Sequence, residues 1–80
     1  MKYKLYSEVV LLKDFQEKKL KKGDVGTIVD YHQLKNTVNG YTLEIFNALG
    51  DTIAIITVSE NEIEALKGNE VFSVRSIEAA

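Results

Sequence analysis

The residue that most constrains this chain is Gly26, a glycine inside a stretch that is otherwise typical of a β-strand. The stretch Leu20 to Val29 has the sequence LKKGDVGTIV, and a charged turn at Gly23-Asp24 comes directly before the strand. A glycine within a strand marks a β-bulge or the close approach of another backbone. Small five-stranded barrels use such a glycine where a sharply curled strand begins after a long loop.

Five apolar runs follow one another along the chain, separated by polar or glycine-bearing connections. Each run is four to seven residues long and rich in β-branched or aromatic residues, and none holds a helical period over three turns. The runs are Val9 to Leu12, Val25 to Tyr31, Tyr41 to Phe46, Ile53 to Val58 and Val71 to Val74. Ser59 with Glu62 forms a capping-box pattern that predicts a helical turn from Glu60 to Leu66, ended by Gly68. The sequence predicts an all-β, SH3-like barrel of about five strands, with this turn before the last one.

Length and composition limit the classes of protein that this chain can be. Its 80 residues predict a single domain, 1–80, and 45% hydrophobic residues with 28% charged residues are ordinary for a globular protein. There is no cysteine, which excludes disulfides and thiolate metal sites. Neither a signal peptide nor an apolar run long enough for a membrane span is recognisable, so we expect a soluble cytoplasmic protein. A net charge of −2 weighs mildly against a dedicated nucleic-acid binder.

The hairpin of the third and fourth strands allows its two faces to be assigned. We expect a two-residue turn at Gly50-Asp51, which places Ile45 opposite Ile56. A four-residue loop would change this register but would leave each side chain on the same face of the sheet. A three-residue loop would break this assignment of residues to faces. One face, the predicted core, holds Tyr41, Leu43, Ile45, Ala54, Ile56 and Val58. The other face carries Phe46, Ile53 and Ile55, although it should be the outer one. Such a patch indicates an interface, unless the N-terminal residues Tyr3, Leu5 and Tyr6 cover it or it is simply exposed.

Other candidate sites are weaker. Lys18, Lys19, Lys21 and Lys22, with Lys13, form a basic cluster that could contact phosphates, but Asp14, Glu17 and Asp24 lie among them and a solvated loop is the simpler interpretation. His32 is the only histidine, whereas nucleophilic catalysis needs a base oriented beside a serine or threonine. The four serines lie far from His32 in sequence, and none is in a recognisable nucleophile elbow. We therefore expect no enzyme, cofactor, metal or small-molecule substrate. The aromatic run and tryptophan of proline-binding SH3 grooves are missing as well.

Four segments resemble a known family. They are Val9 to Asp14, Leu20 to Val29, Tyr41 to Asn47 and Thr52 to Val58, and together they are similar to a family of small stand-alone bacterial domains of unknown function that is common in cyanobacteria. The resemblance implies an SH3-like fold and no established activity. It implies a neighbouring small protein as partner, in an arrangement like a toxin–antitoxin pair. The run Gly23 to Val29 also resembles ribosome-associated KOW segments and the barrel of a photosystem I accessory subunit.

The sequence therefore predicts a non-enzymatic protein-interaction module that binds a protein partner or itself through Phe46, Ile53 and Ile55. The alternative is a KOW-like contact with nucleic acid or ribonucleoprotein through the four lysines of the first loop.

Overall fold

The computed structural model describes residues 2–33 and 37–66, which form one five-stranded antiparallel sheet with two short 3-10 helices. The strands β1, β2 and β4 contain many of the β-branched residues that suit a pleated surface, and β3 carries the aromatic residues Tyr41 and Phe46. The elements in chain order are β1 (Glu8–Leu11), η1 (Gln16–Lys18), β2 (Val25–His32), β3 (Gly40–Phe46), β4 (Thr52–Ser59), η2 (Glu60–Glu62) and β5 (Ile63–Ala65). The all-β prediction is confirmed.

The sheet encloses its own core. Its strand order is β4-β3-β2-β1-β5, and β4 and β5 form its two edges, so within the described residues the predicted barrel is not closed. Ten buried side chains nevertheless form one cluster: Val9, Leu11, Leu20, Ile28, Tyr41, Leu43, Ile45, Ile56, Val58 and Ile63. Because all five strands supply side chains to that cluster, the sheet must curve around its apolar face.

Gly26 lies at the tightest point of this arrangement. It is opposite Val9 on β1, and a Cβ atom placed on it would lie 2.7 Å from Cδ1 of Ile45 and 3.3 Å from Cβ of Leu43. Real Cβ atoms do not approach neighbours as closely as 2.7 Å, so any side chain at residue 26 requires the end of the Ile45 side chain to move. The close neighbours of Gly26 are thus side chains rather than another backbone, and the irregularity of β2 comes later, between Ile28 and Asp30.

The β3–β4 hairpin keeps the predicted faces by a different route from the one expected. The loop is three residues long, Ala48 to Gly50: the N–H of Asn47 donates to the carbonyl of Asp51, and Gly50 takes a φ of +90°. The expected pairing of Ile45 with Ile56 is therefore wrong, since Ile45 lies opposite Ala54. A register shift that leaves Ile53 without a partner on β3 then restores the alternation.

The end of the described chain differs from the sequence prediction in one element. Ser59 does cap a helical turn, with its oxygen accepting from the N–H of Asn61 and its own N–H donating to Glu62. The turn stops at Glu62, however, and the segment expected to continue it is β5, which pairs with β1. The strand predicted at Val71 to Val74 and the stop at Gly68 lie outside the described residues.

The N-terminal segment is fixed to the core through one hydroxyl group. Tyr41 is fully buried, and its hydroxyl oxygen accepts hydrogen bonds from the backbone N–H groups of Lys2, at 3.0 Å, and Tyr3, at 2.9 Å. The Tyr3 ring packs edge-on against the Tyr41 ring, and its hydroxyl donates to the carbonyl of Ile63. A buried tyrosine usually needs such partners for its polar end.

Replacing Gly26 tests the close approach. Gly26→Val should lower the free energy of unfolding by about 1–3 kcal/mol, because the added methyl groups overlap Leu43 and Ile45. Thermal denaturation followed by circular dichroism measures this, with Gly26→Ala expected to lose less. An unchanged melting curve for the valine variant would contradict the close approach.

Removing the Tyr41 hydroxyl tests how the N-terminal segment is held. Tyr41→Phe should cost about 1 kcal/mol, because two backbone N–H groups lose their acceptor. Urea denaturation gives the cost, and amide exchange at Tyr3 should accelerate. The control is Tyr31→Phe, since the Tyr31 ring also packs on Tyr41 but its hydroxyl has no hydrogen bond within residues 2–33 and 37–66. Equal effects of the two variants would refute the role of the hydroxyl.

Candidate interaction surface

Three apolar side chains project from the outer face of the β3–β4 hairpin. Phe46 is 43% exposed, Ile53 41% and Ile55 56%. Ile55 lies opposite Glu44, and Phe46 lies two residues beyond Glu44 on the same strand, so all belong to the face opposite the core. Sequence alternation therefore places these residues correctly. We name Phe46, Ile53 and Ile55 the outer patch.

The polar side chains around the outer patch bind one another. Nε2 of His32 lies 2.7 Å from Oγ1 of Thr42, which lies 3.3 Å from Oγ1 of Thr57. On the other side, the hydroxyl of Thr52 donates to the Glu44 carboxylate at 2.5 Å. Because these groups already have partners, the attractive part of this face for another molecule is its apolar surface.

The N-terminal segment contacts a different part of the molecule. Tyr3 packs on the core cluster beside Tyr41, while Leu5 is 41% and Tyr6 75% exposed. Tyr6 also has a positive φ of 67°, which is strained for an aromatic residue. Its N–H donates to the carbonyl of Ile28, so this turn is held against β2. These contacts give no support to the interpretation that Tyr3, Leu5 and Tyr6 cover the outer patch.

The lysines of the first loop are exposed, and two of the acidic residues among them accept hydrogen bonds from the loop backbone. Asp14 accepts from the N–H of Lys22, and Asp24 accepts from the N–H of Lys21, both at 2.8 Å. Lys19 takes a left-handed conformation that ends η1, and its N–H donates to the carbonyl of Gln16. The carboxylates thus shape the loop, and the side chains of Lys18, Lys19, Lys21 and Lys22 all lie on its exposed surface.

Phe15 is the one aromatic residue of this loop, and it faces inward. Its backbone forms a bridge with Leu20, and its ring is half-buried against the core cluster. The Lys13 ammonium lies 5.4 Å from the centre of that ring and 3.4 Å from the Glu62 carboxylate. Phe15 is therefore not presented for stacking on a base, which weakens the case for a nucleic-acid contact.

An open groove of about 500 Å³ joins the two predicted sites. One wall is the first loop from Lys13 to Lys18, and the other is β4 at Ile55, Ile56 and Thr57. Lys18 of the basic cluster and Ile55 of the outer patch therefore share one depression. The sequence does not predict that Thr57 and Phe15 line this groove, because no local pattern indicates that the first loop lies beside β4.

The described residues assemble no recognisable chemical centre. Within them, no group of three or more histidine or acidic side chains is placed to hold a metal ion. His32 is engaged with a threonine hydroxyl rather than with a nucleophile and a carboxylate. No helix in the described part of the chain has the length and apolarity needed to cross a bilayer.

Comparison with known proteins gives a family but no activity. The family model described as Domain of unknown function (DUF4926) matches residues 5–65. The chain belongs to this family. The match extends from the Leu5–Tyr6 turn to the end of β5, so it includes every strand described above. The resemblance to a family of unknown function is thus confirmed. No curated protein and no solved structure matches the chain.

Replacing the lysines tests whether the basic cluster has a structural role. The variant with Lys18, Lys19, Lys21 and Lys22 changed to serine should unfold within about 0.5 kcal/mol of the wild type, because exposed charges contribute little to folding. Urea denaturation at low and high salt is the measurement. Lys13→Ser, which breaks the Glu62 ion pair and the contact with Phe15, is the comparison and should cost more. A large loss in the quadruple variant would contradict the exposed-loop interpretation.

Proposed function

We propose that this chain is a non-enzymatic protein-interaction module that binds a protein partner or a second copy of itself through the outer patch. The observation that supports the proposal is the exposure of Phe46, Ile53 and Ile55 on one face of the hairpin. A monomeric domain of this size gains nothing for its own core from large apolar side chains on the outside. Burying them against a partner releases water from apolar surface, which is the main driving force of association.

The setting of the interaction belongs to the same proposal. The partner is a protein encoded beside this chain in a bacterial genome, as in a toxin–antitoxin-like pair, and binding takes place in the cytoplasm. The order of the outer patch supports a specific contact: its neighbours His32, Thr42, Thr57 and Glu44 are held by hydrogen bonds, so little side-chain entropy is lost when a partner docks.

The alternative function is a KOW-like contact with RNA or ribonucleoprotein through Lys18, Lys19, Lys21 and Lys22. The exposure of these lysines along one loop supports it. The two functions differ in their response to salt, because neutralising phosphates releases counterions whereas burying apolar surface does not. Sub-micromolar RNA binding at physiological salt that is lost in the serine variant would favour the alternative.

Placing a charge in the outer patch tests the proposed function. Ile55→Glu should abolish association while leaving the fold intact, because an unpaired carboxylate is costly to desolvate at an interface but tolerated at a position that is 56% exposed. Light scattering and co-purification with the neighbouring-gene product report association, and circular dichroism reports folding. The matched control is Leu49→Glu, in the hairpin loop, where the side chain is 88% exposed.

The two variants together decide the outcome. Loss of association in Ile55→Glu alone supports the outer patch as the binding surface. Association that survives Ile55→Glu contradicts it, and so does unfolding of that variant, since an unfolded product means that the chain itself needs Ile55 buried.

A further inference from the structure

Among the described residues, β4 is an edge strand whose own sequence lacks the features that usually protect an edge. Natural edge strands avoid adding further strands by being short, or by carrying charges or proline. β4 has eight residues from Thr52 to Ser59, six of them β-branched, with no charge and no proline. Within residues 2–33 and 37–66 it pairs only with β3. The opposite edge, β5, has three residues and carries Glu64.

The direction of the backbone groups along β4 follows from its pairing. The N–H of Glu60 donates to the carbonyl of Asn39, and the antiparallel register continues from there through Val58 opposite Tyr41 and Ile56 opposite Leu43. Hydrogen-bonded pairs alternate along an antiparallel ladder. Val58 and Ile56 therefore direct their backbone groups toward β3, whereas Thr57 and Ile55 direct theirs toward the open edge.

Two features limit how much of this edge can accept a strand. At one end the register shift leaves Ile53 without a partner on β3, so the regular strand begins after it. At the other end the outward N–H of Ser59 already donates to the Glu62 carboxylate at 2.8 Å. Ile55 and Thr57 therefore lie in the regular part of β4 with their backbone groups directed outward. Unlike the N–H of Ser59, their N–H groups take no part in the capping box.

We infer that the edge of β4 binds the β4 of a second copy, antiparallel and about a two-fold axis at Ile56. In this register Ile55 of each copy lies opposite Thr57 of the other, and both pairs are of the hydrogen-bonded kind. Two such pairs supply about four backbone hydrogen bonds. Moving the two-fold axis toward Ile53 would pair the irregular part of β4. Moving it toward Ser59 would require the N–H of Ser59, which already donates to Glu62.

A second copy fits this edge in chemistry as well as geometry. Since β4 is uncharged throughout, pairing it with itself brings no charge of one β4 against the other and places β-branched side chains opposite one another. The groove of about 500 Å³ separates Ile55, Ile56 and Thr57 from the first loop, Lys13 to Lys18, so there is open space beside these β4 residues. The pairing rests on the proposed function in using Ile55, and it joins the two outer patches into one larger apolar face.

The test reads the backbone at the edge rather than the outer patch. Amide hydrogen exchange is measured on the full chain at low micromolar and at millimolar concentration. The N–H groups of Ile55 and Thr57 should become protected at high concentration, while those of Ile56 and Val58, already bonded to β3, should not change. Thr57→Pro should stay monomeric, since it removes an outward N–H at a position where an edge strand tolerates proline. Thr57→Val, which loses the same hydroxyl but keeps the N–H, should dimerise like the wild type.

Each outcome supports or overturns the pairing. A doubling of mass in light scattering, with protection confined to Ile55 and Thr57, supports it. A chain that stays monomeric at millimolar concentration overturns it, as does a dimer in which both amides exchange as in the monomer. Should Thr57→Pro fail to fold, the exchange measurement on the wild type decides alone. Capture of a different protein that Ile55→Glu abolishes and Thr57→Pro retains, by a wild-type chain that stays monomeric on its own, would assign binding to the outer patch and overturn edge pairing.

Discussion

The contact between the bare backbone of Gly26 and the side chains of Leu43 and Ile45 is the one on which this sheet depends. β2 pairs with β1 on one side and with β3 on the other, so it carries the curvature that lets a single sheet bury its own apolar face. A side chain at residue 26 would meet the side chains of Leu43 and Ile45, so these two core residues would have to move. Among the described residues no second layer covers the core, so its packing depends on how closely the strands of this one sheet approach one another.

Much of the fold can be predicted from the sequence, because the alternation of apolar and polar residues indicates which face of a strand is buried. The first four strands and the capping box at Ser59 follow from such local signals. The β3–β4 register does not, since it depends on the Asn47 side chain, whose oxygen accepts from the N–H groups of Leu49 and Asp51 and so selects a three-residue loop. β5 forms where the sequence predicts a helical turn, because its pairing with β1 is long-range and no short sequence pattern indicates it.

The candidate surface also has one part that the sequence predicts and one part that it does not. Exposure of Phe46, Ile53 and Ile55 follows from the parity of a hairpin, which is a local property. The groove beside β4 does not, because it exists only where the Phe15–Leu20 bridge folds the first loop back across the chain. The lysines of that loop show the limit of composition as a guide. Their acidic neighbours look in sequence like charge compensation, yet Asp14 and Asp24 also accept hydrogen bonds from backbone N–H groups of the loop.

The unpaired residue Ile53 also decides which face of β4 carries Ile55. Next to the three-residue loop, Phe46 lies opposite Thr52, and beyond Ile53 the pairing resumes with Ile45 opposite Ala54. If the pairing continued without this extra residue, Leu43 would lie opposite Ile55, which would place Ile55 in the core and Ile56 in solvent. One bulged residue therefore separates a chain that presents Ile55 to a partner from one that buries it.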